Sequence, residues 1–431
     1  MNRLPEQEFL PYGRKSMTDN VSVENEQHPR SSGFLHGNVA VLAASNAIKG
    51  FGGKIINTYI PIYFLILGGS PLTLGLMTSL TSMIQCIILL LGGFIADYYG
   101  RRKIIVFTAF YSVIFPLLYA FVQDWRILVA LSIMGVLGTV SAPASQAIVV
   151  DSLPPAKRTT GIASLQVISS LPLIIAPVIG GWLIQNQGLP DGFRLACMYA
   201  VATAFTSALI VFLFLKETLR RRLVPRSNVM NSSKLMNTMK LPRSLPKGLT
   251  ALMIPYALVV FANGAVGRYY ILYASNVIGI TALEWGIIAG LQILLANTSK
   301  IPGGWLSDKF GKRKIMIISV LTCAPCTILF SLSQSFFQAL TVALLLIVTG
   351  IYYRPAHTAL LSDLTPRVMR GRITAFFGIA SALSAASGSF IGGFLFQSVS
   401  PVTPFYLFTV AEIIAAFFLI SILREPVKKE D

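Results

Sequence analysis

Residues 92–103 read GGFIADYYGRRK, and residues 303–314 read GGWLSDKFGKRK. Each phrase closes an apolar run with an aspartate, a glycine and a cluster of bases. Asp97 and Asp308 lie 211 residues apart (308 − 97), and the same offset pairs Gly75 with Gly286, Gly93 with Gly304, Gly100 with Gly311 and Arg102 with Arg313. One residue enters between the third and fourth apolar runs. The offset then becomes 212, pairing Pro143 with Pro355, Asp151 with Asp363, Pro154 with Pro366, Arg158 with Arg370, and IGGWLIQ (179–185) with IGGFLFQ (391–397). Glycine, proline and charge repeated across five successive runs mark an internal duplication.

The 431-residue chain is 54% hydrophobic and 12% charged, against roughly 25% charged in ordinary globular proteins. Apolar stretches of about 20 residues, the length that crosses a bilayer as a helix, recur throughout. They are continuous rather than alternating, which excludes a transmembrane barrel. The expected helices cover 37–67, 72–97, 103–122, 127–152, 159–185, 194–215, 249–277, 282–307, 314–333, 336–363, 371–397 and 403–423. The net charge of +18 does not mark a nucleic-acid binder, because the bases gather in short linkers between apolar runs. Arg101, Arg102, Lys103, Lys157, Arg158, Lys309, Lys312, Arg313, Lys314, Arg367, Arg370 and Arg372 fall on one side, together with the basic stretch 216–248. The other side holds Arg126, Arg194 and few other bases. The positive-inside pattern puts the first side, and both termini, in the cytoplasm of a plasma-membrane protein.

Residues 1–33 lack the apolar core of a signal peptide and read as a cytoplasmic tail, with the first span as an uncleaved anchor. The remaining organisation follows: a six-helix bundle at 34–215, a cytoplasmic loop at 216–248, a second bundle at 249–424 and a tail at 425–431. The pair in CAPC (323–326), like Cys86 and Cys197, lies within an apolar run and reads as packing rather than redox chemistry.

Two tandem six-helix halves joined by a basic loop resemble the major facilitator superfamily over about 37–424. The most specific residues are the linker G-x-x-x-D-x-x-G-[RK]-[RK], here Gly93, Asp97, Gly100, Arg101 and Arg102, and again Gly304, Asp308, Gly311, Lys312 and Arg313. The first copy departs at Tyr98, where the family usually carries a base; the second keeps Lys309. The resemblance implies an all-α membrane protein of twelve transmembrane helices in two pseudo-symmetric bundles. It also implies a conformational latch at these linkers. The chemistry agrees: the linker bases can pair with Asp151 and Asp363 at the ends of helices 4 and 10, with Arg158 and Arg370 alongside, and glycine permits the tight turn. APVIGGW (176–182), placed at the cytoplasmic end of helix 5, resembles an antiporter signature through Pro177, Gly180 and Gly181. Small-residue helix packing is the other reading. The antiporters' helix 4 arginine is replaced by Ser132.

In this architecture substrate sits near the midplane between the halves, and the resemblance puts helices 1, 4, 7 and 10 around it. An ionisable side chain there costs roughly 2.5–3.5 kcal/mol to insert, so it is expected to serve a ligand, water or a partner. The candidates are Asn46, Lys49, Lys54 and Asn57 on helix 1, Gln146 on helix 4, Arg268 and Tyr270 on helix 7, and Arg354, His357 and Thr358 on helix 10. Lys300 is a further deep base. The 211 offset sets Arg268 against Asn57. These cavity helices carry deep bases and no deep acid, which points to an anionic substrate, an organic acid or a phosphorylated small molecule. No G-x-x-x-x-G-K-[ST] nucleotide loop is present, so transport is expected to be secondary, by rocking of the two halves. His357, which ordinarily titrates near neutrality, and Glu412 are candidates for proton coupling. Neither cofactor nor metal is expected, nor is enzymatic chemistry. The expected partners are a small-molecule substrate, a coupling proton and the lipid bilayer around a monomer. A proton-coupled exporter of drugs or amphiphiles is the alternative function, and a transporter-like sensor the third.

Overall fold

The computed structural model describes residues 37–154, 158–218, 247–366 and 369–423. The side chains of Asp97, Lys300 and Arg370, and Gly304, lie outside the described set, as do nearly all of the two tails and the central loop. Among the described residues twelve helical spans follow in order. They are α1 (Asn38–Ile66), α2 (Pro71–Tyr99), α3 (Arg101–Phe121), α4 (Trp125–Val136 and Ala142–Ser152) and α5 (Arg158–Ser170 and Ala176–Gln187). Next come α6 (Asp191–Phe214), α7 (Lys247–Gly267, extended by Tyr269–Tyr273), α8 (Ala282–Thr298 and Lys300–Phe310) and α9 (Lys312–Ser331). The last three are α10 (Phe336–Gly350 and Tyr353–Asp363), α11 (Arg370–Ser398) and α12 (Thr403–Ser421). Among the described residues eleven spans are long and apolar enough to cross a membrane, and the first segment of α8 is a shorter apolar helix.

Besides α7, interrupted at Arg268, four spans expected to be continuous are broken. The breaks hold Thr139, Leu173, Ser299 and Ile351, at or next to the position four residues before Pro143, Pro177, Pro302 and Pro355. Proline has no N–H to give that residue, and its ring collides with that residue's carbonyl.

The charged linkers fold alike in both halves. Gly100 (φ 96°) and Gly311 (φ 90°) make the turns from α2 to α3 and from α8 to α9, a backbone region that a side chain would strain. The first base after each glycine pairs with the aspartate ending the fourth helix of its half: Arg101 with Asp151, Lys312 with Asp363. The second base caps the C-terminus of the last helix of its half, where free carbonyls attract a cation. Arg102 donates to Phe212 O (2.8 Å), and Arg313 to Leu419 O (3.0 Å) and Ile420 O (2.6 Å). Each linker thus ties three helices of its own half. The extra base Lys309 lies over the Trp305 ring at 4.7 Å, while Asp308 and Arg158 are exposed.

Contacts between the halves gather at the end remote from these linkers, the far end. There α2 packs on α11 and the second segment of α5 on the first segment of α8. Two buried tyrosines hold these seams in a matched way. The Tyr59 hydroxyl, on α1, donates to Pro177 O of its own half (2.6 Å) and to Ala282 O of the other (3.0 Å). The Tyr269 hydroxyl, on α7, donates to Ser389 O of its own half (3.1 Å) and to Pro71 O of the other (3.2 Å). Glycines make the approach possible. A Cβ on Gly181 would meet Ala282 O at 2.3 Å, and one on Gly393 would meet Pro71 O at 2.6 Å.

This geometry makes two corrections. APVIGGW lies at the far end of α5, not at the linker end, because α5 starts at the linker end with Arg158. Its Pro177, Gly180 and Gly181 pack against Tyr59 and α8. The equivalence of Tyr59 with Tyr269 also registers α1 on α7 at 210 residues rather than 211, so Arg268 is the counterpart of Thr58, not Asn57. The offset returns to 211 by Gly75 and Gly286, and the π-turn at Ala274–Ile278 lies in the interval, a turn that takes in one extra residue.

Candidate functional site

Below the far-end closure lies a cavity of about 430 Å³ between the halves, walled by α1, α2, α7, α8 and α11. Lys54 and Asn57 reach it from α1 and Arg268 from α7. Lys54 and Arg268 come from opposite halves, and their charges act on each other across the space. Arg268 Nη1 lies 3.5 Å from the Asn57 carbonyl oxygen. No aspartate or glutamate is among the residues lining the cavity, and neither cation has an ion-pair partner among the described residues.

The other predicted contacts lie elsewhere. On α1, Asn46 is exposed and Lys49 half-buried, both nearer the linker end. Gln146 on α4 and Arg354 and Thr358 on α10 are exposed, and the Thr358 hydroxyl donates to Arg354 O (2.8 Å). Two residues leave the cavity wall altogether. Tyr270 sets its ring edge-on to Phe330 and Phe405, with its hydroxyl 3.4 Å from Thr327 Oγ1, inside the C-terminal bundle. His357 is buried and stacked on Tyr256 with ring centroids 3.9 Å apart. In both cases aromatic packing within the bundle takes a ring that a helical wheel assigns to the centre. Glu412 on α12 is 2% exposed, with no hydrogen-bond partner for Oε2 among the described residues. Tyr270, Cys323 and Tyr353 lie near it. Among the described residues no three His, Cys, Asp or Glu side chains converge as metal ligands.

The sequence reading missed the polar wall from α2, α7, α8 and α11: Thr78, Ser82, Asn263, Gln292 and Ser389. Asn263 and Gln292 carried a usable signal, since an amide inside an apolar span needs a hydrogen-bond partner or water.

The family model described as Major Facilitator Superfamily matches residues 42–297 and 252–431. The chain belongs to the major facilitator superfamily. This superfamily member is 24% identical over 358 residues to the multidrug resistance protein MdtG of Proteus mirabilis, covering 81% of this chain and 86% of that one. It is also 24% identical over 418 residues to an uncharacterized MFS-type transporter of Methanocaldococcus jannaschii, covering 95% of this chain and 100% of the relative. Among solved structures, a bacterial homolog of the human lysosomal transporter Spinster aligns with a TM-score of 0.71 at 16% identity, covering 91% of this chain and 97% of that one. The human organic anion transporter MFSD10 aligns at 0.63 and 18% identity, covering 89% and 98%. The superfamily fold, with its twelve helices and two bundles, accounts for the duplication in the sequence, and the protein is a multi-pass membrane protein of a transporter family.

Proposed function

We propose that this protein is a secondary transporter of small anions, an organic acid or a phosphorylated small molecule, and that the cavity holding Lys54 and Arg268 is its binding site. The carrying observation is that each half contributes one cation and the lining contains no acid. An anion bound between them joins the two halves, so occupancy and the rocking of the bundles are linked. Asn57 lies beside both cations. Asn46, Lys49, Gln146, Arg354 and Thr358 are assigned to the route from the linker end, and Tyr270 to the support of α7. The positive-inside pattern puts that end and both termini in the cytoplasm of the plasma membrane, with a monomer as the working unit. The closed far end is then the outer gate. The bonded linkers act as the latch that each half presents to the other when the cytoplasmic end closes, with Asp97 and Asp308 as its acidic members.

Counterflow in proteoliposomes with labelled anions, cations and neutral drugs tests the assignment. Anion exchange is expected. Movement of cations or neutral amphiphiles, with no response to Lys54→Ala, replaces it with the drug-export reading that the likeness to MdtG supports. Binding without movement of any of them replaces it with the sensor reading.

Coupling is assigned to Glu412, with His357 as the second group. Glu412→Gln is expected to abolish stimulation of anion uptake by an imposed proton gradient while leaving counterflow within twofold of wild type, about 0.4 kcal/mol. Stimulation that persists in both Glu412→Gln and His357→Ala removes these groups from coupling.

A further inference from the structure

Six of the neutral polar side chains around the cavity turn a donor to backbone. The Asn263 amide nitrogen donates to Val259 O, one turn back on α7 (2.8 Å), and the Gln292 amide nitrogen donates to Ala343 O of α10 (3.1 Å). The hydroxyls do the same. Thr58 donates to Lys54 O (2.9 Å), Thr78 to Leu74 O (2.9 Å), Ser82 to Thr78 O (2.8 Å) and Ser389 to Gly264 O (3.3 Å). Six cavity-lining side chains therefore have donors engaged by backbone. The four hydroxyls have spent their single donor and offer a ligand only lone pairs, while each amide has spent one of its two N–H donors and keeps its oxygen, so acceptors outnumber donors on this wall. Turning a hydroxyl donor toward a ligand breaks a bond already made, and a hydroxyl without its partner is costly away from water.

The strong donors are in a different place. The Lys54 ammonium and the Arg268 guanidinium sit with Asn57, and both cations only donate. The site is thus polarised, with a cationic donor corner and an acceptor-rich wall. We infer that the transported anion carries hydrogen-bond donors on its body, as a polyhydroxy acid or a sugar phosphate does, and that Asn263 and Gln292 read them. The inference rests on the anion assignment above and narrows it. A deoxy anion of the same charge leaves the wall acceptors without partners and forfeits their hydrogen bonds, which is how a polar site rejects an analogue lacking a hydroxyl.

Isothermal titration of the purified full chain in nanodiscs tests this with pairs matched in charge and chain length: gluconate against hexanoate, tartrate against succinate, and glycerol 3-phosphate against propyl phosphate. The hydroxylated member of at least one pair is expected to bind about 10-fold or more tightly. Asn263→Leu and Gln292→Leu are each expected to cut that ratio about 5-fold. A functional readout confined to the ratio separates reading of the ligand from general support of the fold. Equal affinity within every pair overturns the inference, and the anion assignment survives it if Lys54→Ala weakens both members. No binding of any of the six overturns both.

Discussion

Alanine at Gly181 is expected to drive the two halves apart at the far end. The added Cβ would sit 2.3 Å from Ala282 O and 2.7 Å from the Tyr59 hydroxyl. The first of these is backbone of the opposite half and can yield only if the seam between α5 and α8 opens. Overpacking of this kind costs about 1–3 kcal/mol. Applied to the closed arrangement alone, that displaces the equilibrium by about 5- to 150-fold toward a state open at this end. Gly393→Ala is expected to do the same through the other seam, since its Cβ would meet Pro71 O at 2.6 Å and the Tyr269 hydroxyl at 2.5 Å. Tyr59→Phe should move the equilibrium the same way by less, because it removes hydrogen bonding worth about 1 kcal/mol without adding bulk. The measurement is the distance distribution between spin labels at Gln187 and Gln334, exposed positions near the far-end tips of α5 and α9, in a chain whose four cysteines have been replaced. A longer distance is expected in each variant. An unchanged distance in a chain that still melts at the wild-type temperature would sink the claim that these seams form a gate.

Loss of either cavity cation is expected to have the second large effect. Arg268→Gln and Lys54→Ala each remove a charged hydrogen-bond donor from the anion, an interaction worth about 1.5–3 kcal/mol. Affinity for the transported anion should fall about 10- to 150-fold in each single variant. In the proposed assignment the two cations serve one ligand, so the double variant should depart from additivity. Arg268→Lys keeps the charge but not the planar fork of donors and should recover only part of the loss. Titration of the variants with an anion that the wild-type chain carries checks all three. Wild-type affinity in both single variants would empty the cavity of its assigned role.

The fold was legible in the sequence because its determinants are local or periodic. Span length, the side on which bases gather and the duplicated GGFIADYYGRRK phrase each reach the page without any three-dimensional knowledge. The pairing of linker bases with Asp151 and Asp363 was also within reach, since both acids end helices on the linker side. What stayed hidden depends on how the halves meet. Thr78, Ser82 and Ser389 lie in spans not expected to face the cavity, and only the approach of α2 to α11 brings them there. Tyr270 and His357 fit a cavity-facing stripe as well as Lys54 does, but aromatic neighbours from α9, α11 and α12 hold their rings inside the bundle. The helix breaks carried their signal in plain view. Pro143 and Pro355, which helped to establish the repeat, each stand four residues after a break.

The two tyrosine seams have the form of a homodimer contact. Tyr59 of α1 reaches the start of α8, and Tyr269 of α7 reaches the start of α2, so each partner gives to the other what it receives. Such a reciprocal pattern is the mark of an isologous interface, here preserved between the two halves of one polypeptide. Rocking of the halves about an axis perpendicular to the one that relates them stretches both seams in one stroke, so neither can release while the other stays bonded. The far end should therefore open as a single cooperative step with no half-open intermediate.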